Sequence, residues 1–157
     1  IQTPATFAAL SQLYHTGLRV LFTELMEKVK VFEEDFYSKS FYWYCPNKSF
    51  TKLEEVDEFW KEEENLKEIY EFNFQIRLDG FKKAGTEYGN VSHSLTLGIE
   101  TYCYRILVNN NNQSPFFKKL YHQPLAQNDR QQIIDGFMTA IMDDIERILE
   151  RINQENN

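Results

Sequence analysis

Only two cysteines, four prolines and six glycines occur among the 157 residues. Two thiols exclude a disulfide-stapled scaffold, and so few chain breakers argue against a disordered or loop-dominated protein. No apolar run approaches the roughly 18–20 residues that a membrane-spanning helix requires. Cations are scarce too: 17 Lys and Arg stand against 24 Asp and Glu, a net charge of −7. A surplus of that sign repels phosphate backbones and weighs against nucleic-acid binding. No Gly-rich phosphate loop, Gly-x-Ser-x-Gly elbow or Cys-x-x-Cys pair is present either.

Large rings are plentiful. The 13 Phe and 9 Tyr supply much buried area per residue, and the length suits one globular domain over 1–157 with a proper core. The start at Ile1 rather than Met points to a trimmed form or a fragment of a longer chain. Cys45 and Cys103 sit in aromatic, strand-like surroundings and read as buried, reduced thiols. The Asn-x-Ser triplets at Asn47, Asn90 and Asn112 are weak glycosylation signals among 12 asparagines. The expectation is a soluble, cytoplasmic protein.

Hydrophobic spacing assigns the elements. Thr3-Pro4 reads as N-cap and first helical position. Phe7, Leu10, Tyr14, Leu18, Leu21, Leu25, Val29, Phe32 and Phe36 then recur at steps of three or four. They predict a long amphipathic helix with a bend near Gly17. The run Phe41-Tyr42-Trp43-Tyr44 favours a short strand over 38–45, closed by the turn Pro46-Asn47. Thr51 and Glu54 form a capping-box pattern that opens a short acidic helix reaching about Asn65.

From Tyr70 to Asp79 the chain alternates strictly. Tyr70, Phe72, Phe74, Ile76 and Leu78 fall on one side, with Glu71, Asn73, Gln75, Arg77 and Asp79 on the other, the period of a half-buried strand. A second β-like run covers 92–108. Phe116, Phe117 and Leu120 after Ser114-Pro115 suggest a short helix. Asn128 or Asp129 caps a last helix with the stripe Ile133, Ile134, Phe137, Met138, Ile141, Ile145, Ile148, Leu149 and Ile152. The fold class expected is α+β: an antiparallel sheet of about three strands (near 40–45, 68–80 and 92–108) packed against long N- and C-terminal helices. Tyr70, Phe74, Leu78 and Phe81 also fit helical spacing, as do Leu95, Ile99, Cys103 and Ile106, so an all-α bundle is the alternative.

Charge is concentrated rather than spread. Residues 33–71 hold 12 acids and five lysines, so this segment alone carries the whole excess of seven. Such a face attracts a basic protein partner by electrostatic steering. The surface expected to mediate contact comprises Glu54, Glu55, Glu58, Glu62, Glu63 and Glu64 with the aromatics Tyr42 and Trp43. The function expected is a non-enzymatic protein-binding or regulatory module with no cofactor, no metal and no membrane contact. A domain binding a small apolar ligand among Phe and Tyr side chains is a further possibility.

Catalytic constellations are thin. His15, His93 and His122 lack a second ligand at zinc-binding spacing. A general acid–base pair of His93 and Glu100 would require 92–108 to be helical, because seven residues of strand separate them by about 23 Å. Glu24-x-x-Glu27 and Glu54-x-x-Asp57, 26 residues apart, form the one formal match to an enzyme pattern. That spacing resembles the four-carboxylate signature of the all-α MazG-type nucleotide pyrophosphohydrolases. The resemblance implies a helical enzyme that holds Mg²⁺ against a triphosphate.

Overall fold

A computed structural model describes residues 4–84, 89–100, 104–110, 113–120 and 125–155; the side chains of 4–6, 109–110 and 113–120 are not among those described. Cys103, Thr3 and His122, singled out in the sequence, lie outside the described residues.

The chain folds as α+β. The first helical stretch comprises α1 (Pro4–Leu13), a π-helical segment (Tyr14–Leu18), α2 (Arg19–Lys28) and a 3₁₀ turn (Val29–Phe32). The π segment explains the sequence spacing. Leu10, Tyr14 and Leu18 follow one another by fours, and a wider turn keeps Tyr14 and Leu18 both buried. Gly17 lies in that segment, where an added Cβ would stand only 2.8 Å from Leu125 Cβ. A glycine is needed for that close approach.

The strands follow: β1 (Phe36–Cys45), β2 (Lys48–Phe50), β3 (Glu71–Phe81), β4 (Val91–Ile99), β5 (Tyr104–Asn110) and β6 (Gln113–Leu120). They form one antiparallel sheet in the order β2-β1-β3-β4-β5-β6. The expected three strands are thus six, and the all-α alternative is excluded. Between β2 and β3 lie α3 (Leu53–Lys61) and α4 (Glu63–Leu66); α5 (Gln127–Glu155) closes the chain. Phe36, placed on the first helix by its spacing, is instead the first residue of β1.

Helices cover one face of the sheet. Phe22 of α2 meets Trp43 of β1 and Phe74 of β3, with ring centroids 6.0 and 4.8 Å apart. Phe137 of α5 reaches the same Phe74 ring at 6.3 Å, and α5 also packs on β4, β5 and β6. Phe72, Phe74, Ile76 and Leu78 of β3 are buried as predicted, but Asn73 on the opposite side is buried as well, and Tyr70 precedes the strand and is 63% exposed. The other face of the sheet is polar. There Thr96 donates to Asn73 at 2.7 Å and Gln75 to Ser92 at 2.6 Å, which satisfies groups on strands otherwise built of apolar residues.

Two further expectations fail locally. The run 92–108 is two strands, β4 and β5, paired with each other. Residues 113–120 are strand rather than helix. Pro115 is tolerated there because β6 is a sheet edge, where a missing N–H costs no ladder bond.

Candidate functional site

The six acids expected at a contact surface lie on the two short helices after β2 and, for Glu62, on the break between them. Leu53, Val56, Phe59 and Trp60 recur at steps of three, three and one, a spacing that puts Val56, Phe59 and Trp60 in the core. Glu54, Glu55 and Glu58, away from that buried side, are exposed. Lys52 in extended conformation is the N-cap, not Thr51, and no side-chain oxygen caps the helix. Glu62 is extended as well (φ −95°, ψ 118°), and it separates α3 from α4. Glu62, Glu63 and Glu64 are all exposed around this break.

Pairing removes only part of the charge. Lys61 bonds Glu58 at 3.0 Å and Lys67 bonds Glu64 at 2.8 Å, both on the surface, where such pairs are worth about 0–1 kcal/mol. Beside α4 a hollow of about 380 Å³ opens against the β1–β2 turn. Phe59 and Ile69 supply its apolar wall, while Glu64, Glu68, Lys48 and Tyr70 supply its polar lining. Asn65 shapes one side by donating to the Phe59 carbonyl at 3.0 Å. A long aliphatic side chain ending in a cation matches this combination of apolar wall and carboxylates.

The two aromatics expected at the surface part company. Trp43 is fully buried between Phe22 and Phe74 and takes no part in a surface. It faces the helices because β1 alternates and Trp43 shares the inward side with Cys45. Tyr42 points to the open, polar face and is half-buried. Tyr44 on the same side and Tyr70 at the hollow are the exposed rings nearby.

The four carboxylates of the MazG-like spacing do not gather. Glu24 accepts from Arg130 of α5 at 3.0 Å, Glu27 pairs with Lys30, and Asp57 accepts from Tyr14 and Arg19. Glu54 is exposed on α3. Among the described residues no three His, Cys, Asp or Glu side chains are placed to share a metal ion. The helical architecture implied by that resemblance is also not the one adopted.

Asp57 does something the spacing did not suggest. The Tyr14 hydroxyl donates to it at 2.6 Å, and the Arg19 Nε lies 3.0 and 3.2 Å from its two oxygens. Tyr14 is fully buried and stacks on Trp60 at 5.0 Å. This junction ties α3 to the π segment and holds the acidic helices in place. Burial, and then the bond to Asp57, push the Tyr14 phenol above its ordinary range; burial lifts Tyr104 to about 12.

Both phenols have folded pKa values above the unfolded one, about 10 for tyrosine. The stability they confer is complete below that value and is lost as pH rises through the folded values. A spectrophotometric titration tests this. Tyr14 and Tyr104 should ionise only above the ordinary tyrosine range, together with unfolding. Ionisation of Tyr14 and Tyr104 near pH 10, the fold intact, would contradict the assignment.

His93 and Glu100 do not meet, as expected for a segment that is strand rather than helix. His93 lies on the inward face of β4, its side chain 1% exposed, with Nε2 2.7 Å from Asp144 Oδ2 on α5. Arg147 holds the other oxygen of Asp144, and Glu100 pairs with Arg105. The ladder of sequence spacing cannot reveal a partner 51 residues away; only the inward parity of His93 hinted that it needed one. Cys45 is a free thiol, and burial raises its pKa, which makes it a poor nucleophile.

No helix among the described residues is long and apolar enough to cross a membrane. No family model matches the chain, and no curated protein or solved structure shows significant similarity to it.

Proposed function

We propose that the chain is a non-enzymatic protein-binding module that receives a basic segment of a partner on the acidic face of α3 and α4. One observation carries this reading: six exposed carboxylates, Glu54, Glu55, Glu58, Glu62, Glu63 and Glu64, stand on two consecutive short helices and the residue that separates them. The hollow beside α4 adds a place where a partner's Lys or Arg could lay its stem on Phe59 and Ile69 and its head near Glu68. Carboxylates arranged this way speed encounter with cations and repel phosphate polymers.

Peptide display tests it. Selection from a random library on the immobilised protein should enrich Lys- and Arg-containing sequences. The variant Glu62→Lys/Glu63→Lys/Glu64→Lys should lose that enrichment while keeping its thermal transition, since exposed helix charges contribute little to stability. Enrichment without basic residues, or enrichment that survives the triple reversal, would remove the acidic face from the function.

A further inference from the structure

The two edges of the sheet are guarded very differently. β6 carries Pro115, and the β5–β6 ladder is irregular between Val108 and Asn110; prolines and bulges are devices that deter a further strand from pairing. β1 has no such protection. On one side it pairs with β3 along nearly its whole length, from Phe36 to Tyr44. On the other side β2 covers only Trp43, Tyr44 and Cys45. The outer backbone of Tyr37-Ser38-Lys39-Ser40-Phe41-Tyr42 therefore has no neighbouring strand, and no loop among the described residues bonds to it. Lys39 is the one charge in this stretch, and Glu33 already holds it at 2.8 Å.

Beside this edge lies a second hollow, of about 330 Å³, between α2 and the start of α3. Met26, Phe41 and Leu53 supply its apolar surface, with Thr23, Glu27, Lys30 and Lys39 around them; Lys30 is paired with Glu27 at 3.0 Å and Lys39 with Glu33, so neither lysine stands as an open positive charge against the hollow. A strand laid along β1 would direct every second side chain to the same side as Phe41, into this hollow. Backbone pairing with a pocket for alternate side chains is the physical basis of strand addition.

We infer that the outer edge of β1 over Tyr37–Tyr42 accepts an extended, basic segment of a partner protein as an added strand, with an apolar side chain of that segment in the hollow against Phe41. The sign of the charge selects this occupant. The edge lies inside the segment 33–71 that carries the whole negative excess, and Glu54 and Glu55 directly follow Leu53. A second copy would bring the same charge and, in the register centred on Lys39, would set two lysines opposite each other. This inference rests on the docking role of the acidic face and adds the backbone that would hold the bound segment.

A heptapeptide library alternating Lys or Arg with Val, Ile, Leu or Phe supplies the probe. Each binder is then N-methylated at one position at a time. Losses should alternate along the peptide, each about tenfold, as expected for removing a backbone hydrogen bond and placing a methyl against the edge. Because the modification is on the peptide, the fold of the protein is not at stake. Binding should also slow amide exchange within Tyr37–Tyr42. Thr23→Trp, which fills the hollow from an exposed helix position, should weaken binding.

Binders that protect only α3 and α4 and tolerate every N-methyl group would overturn the edge while sparing the acidic face. A library without any binder would overturn both. Protection of Tyr37–Tyr42 that appears without peptide and grows with protein concentration would replace the partner segment by a second copy.

Discussion

Trp43→Ala should destabilise the fold by about 3–5 kcal/mol, the usual consequence of emptying a large aromatic site in a packed core. The ring is fully buried and touches Phe22 and Phe74, so it joins α2 to the two central strands of the N-terminal half of the sheet. A loss of that size is a large part of the 5–15 kcal/mol that holds a domain of ordinary stability (roughly). Trp43→Phe should cost far less. The indole N–H of Trp43 reaches no acceptor among the described residues, and phenylalanine removes that unsatisfied donor along with part of the volume. Urea unfolding of both variants separates the outcomes. An alanine variant as stable as the parent would put Trp43 back on the surface.

Asp57→Ala should be the most damaging change of a single acid in α3, by about 1–3 kcal/mol, because it strands the buried Tyr14 hydroxyl. The contribution from Arg19 is small, as its side chain is 44% exposed and screened by water. Removing the hydroxyl as well should recover much of the loss. The double variant Tyr14→Phe/Asp57→Ala is expected to be more stable than the sum of the two single changes predicts, with a coupling of about 0.5–3 kcal/mol. Strict additivity would mean that the hydroxyl and the carboxylate do not act as a pair.

Elements with one buried face were legible because burial imprints its period on the residues. β3 and α5 are the clearest cases: Phe72, Phe74, Ile76 and Leu78 all point inward, and so do Ile133, Ile134, Phe137 and Ile141. What escaped was the punctuation. Between β4 and β5 the buried parity changes from odd (Leu95, Leu97, Ile99) to even (Tyr104, Ile106, Val108). That switch marks the reversal, yet no Gly or Pro announces it in the sequence between Ile99 and Tyr104. The strand β6 was hidden for another reason: Ser114-Pro115 suits a helix start as well as an edge strand, and only pairing with β5 decides.

The candidate site was legible in charge but not in detail. An acidic helix could be read directly from 54–64. The burial of Trp43 is hidden because the run Phe41–Tyr44 has no charged residue to show which parity faces the core. Long-range partners such as Tyr14 with Asp57 or His93 with Asp144 leave no trace in local spacing.

Association kinetics of a display-selected basic peptide test the role of the acidic face most directly. Stopped-flow rates should fall as salt rises, since exposed charges are screened beyond about 8 Å at physiological ionic strength. At low salt Glu62→Lys/Glu63→Lys/Glu64→Lys should slow association about tenfold or more and change dissociation much less, the pattern of charges that steer encounter. An association rate indifferent both to salt and to the triple reversal would contradict a steering role for α3 and α4.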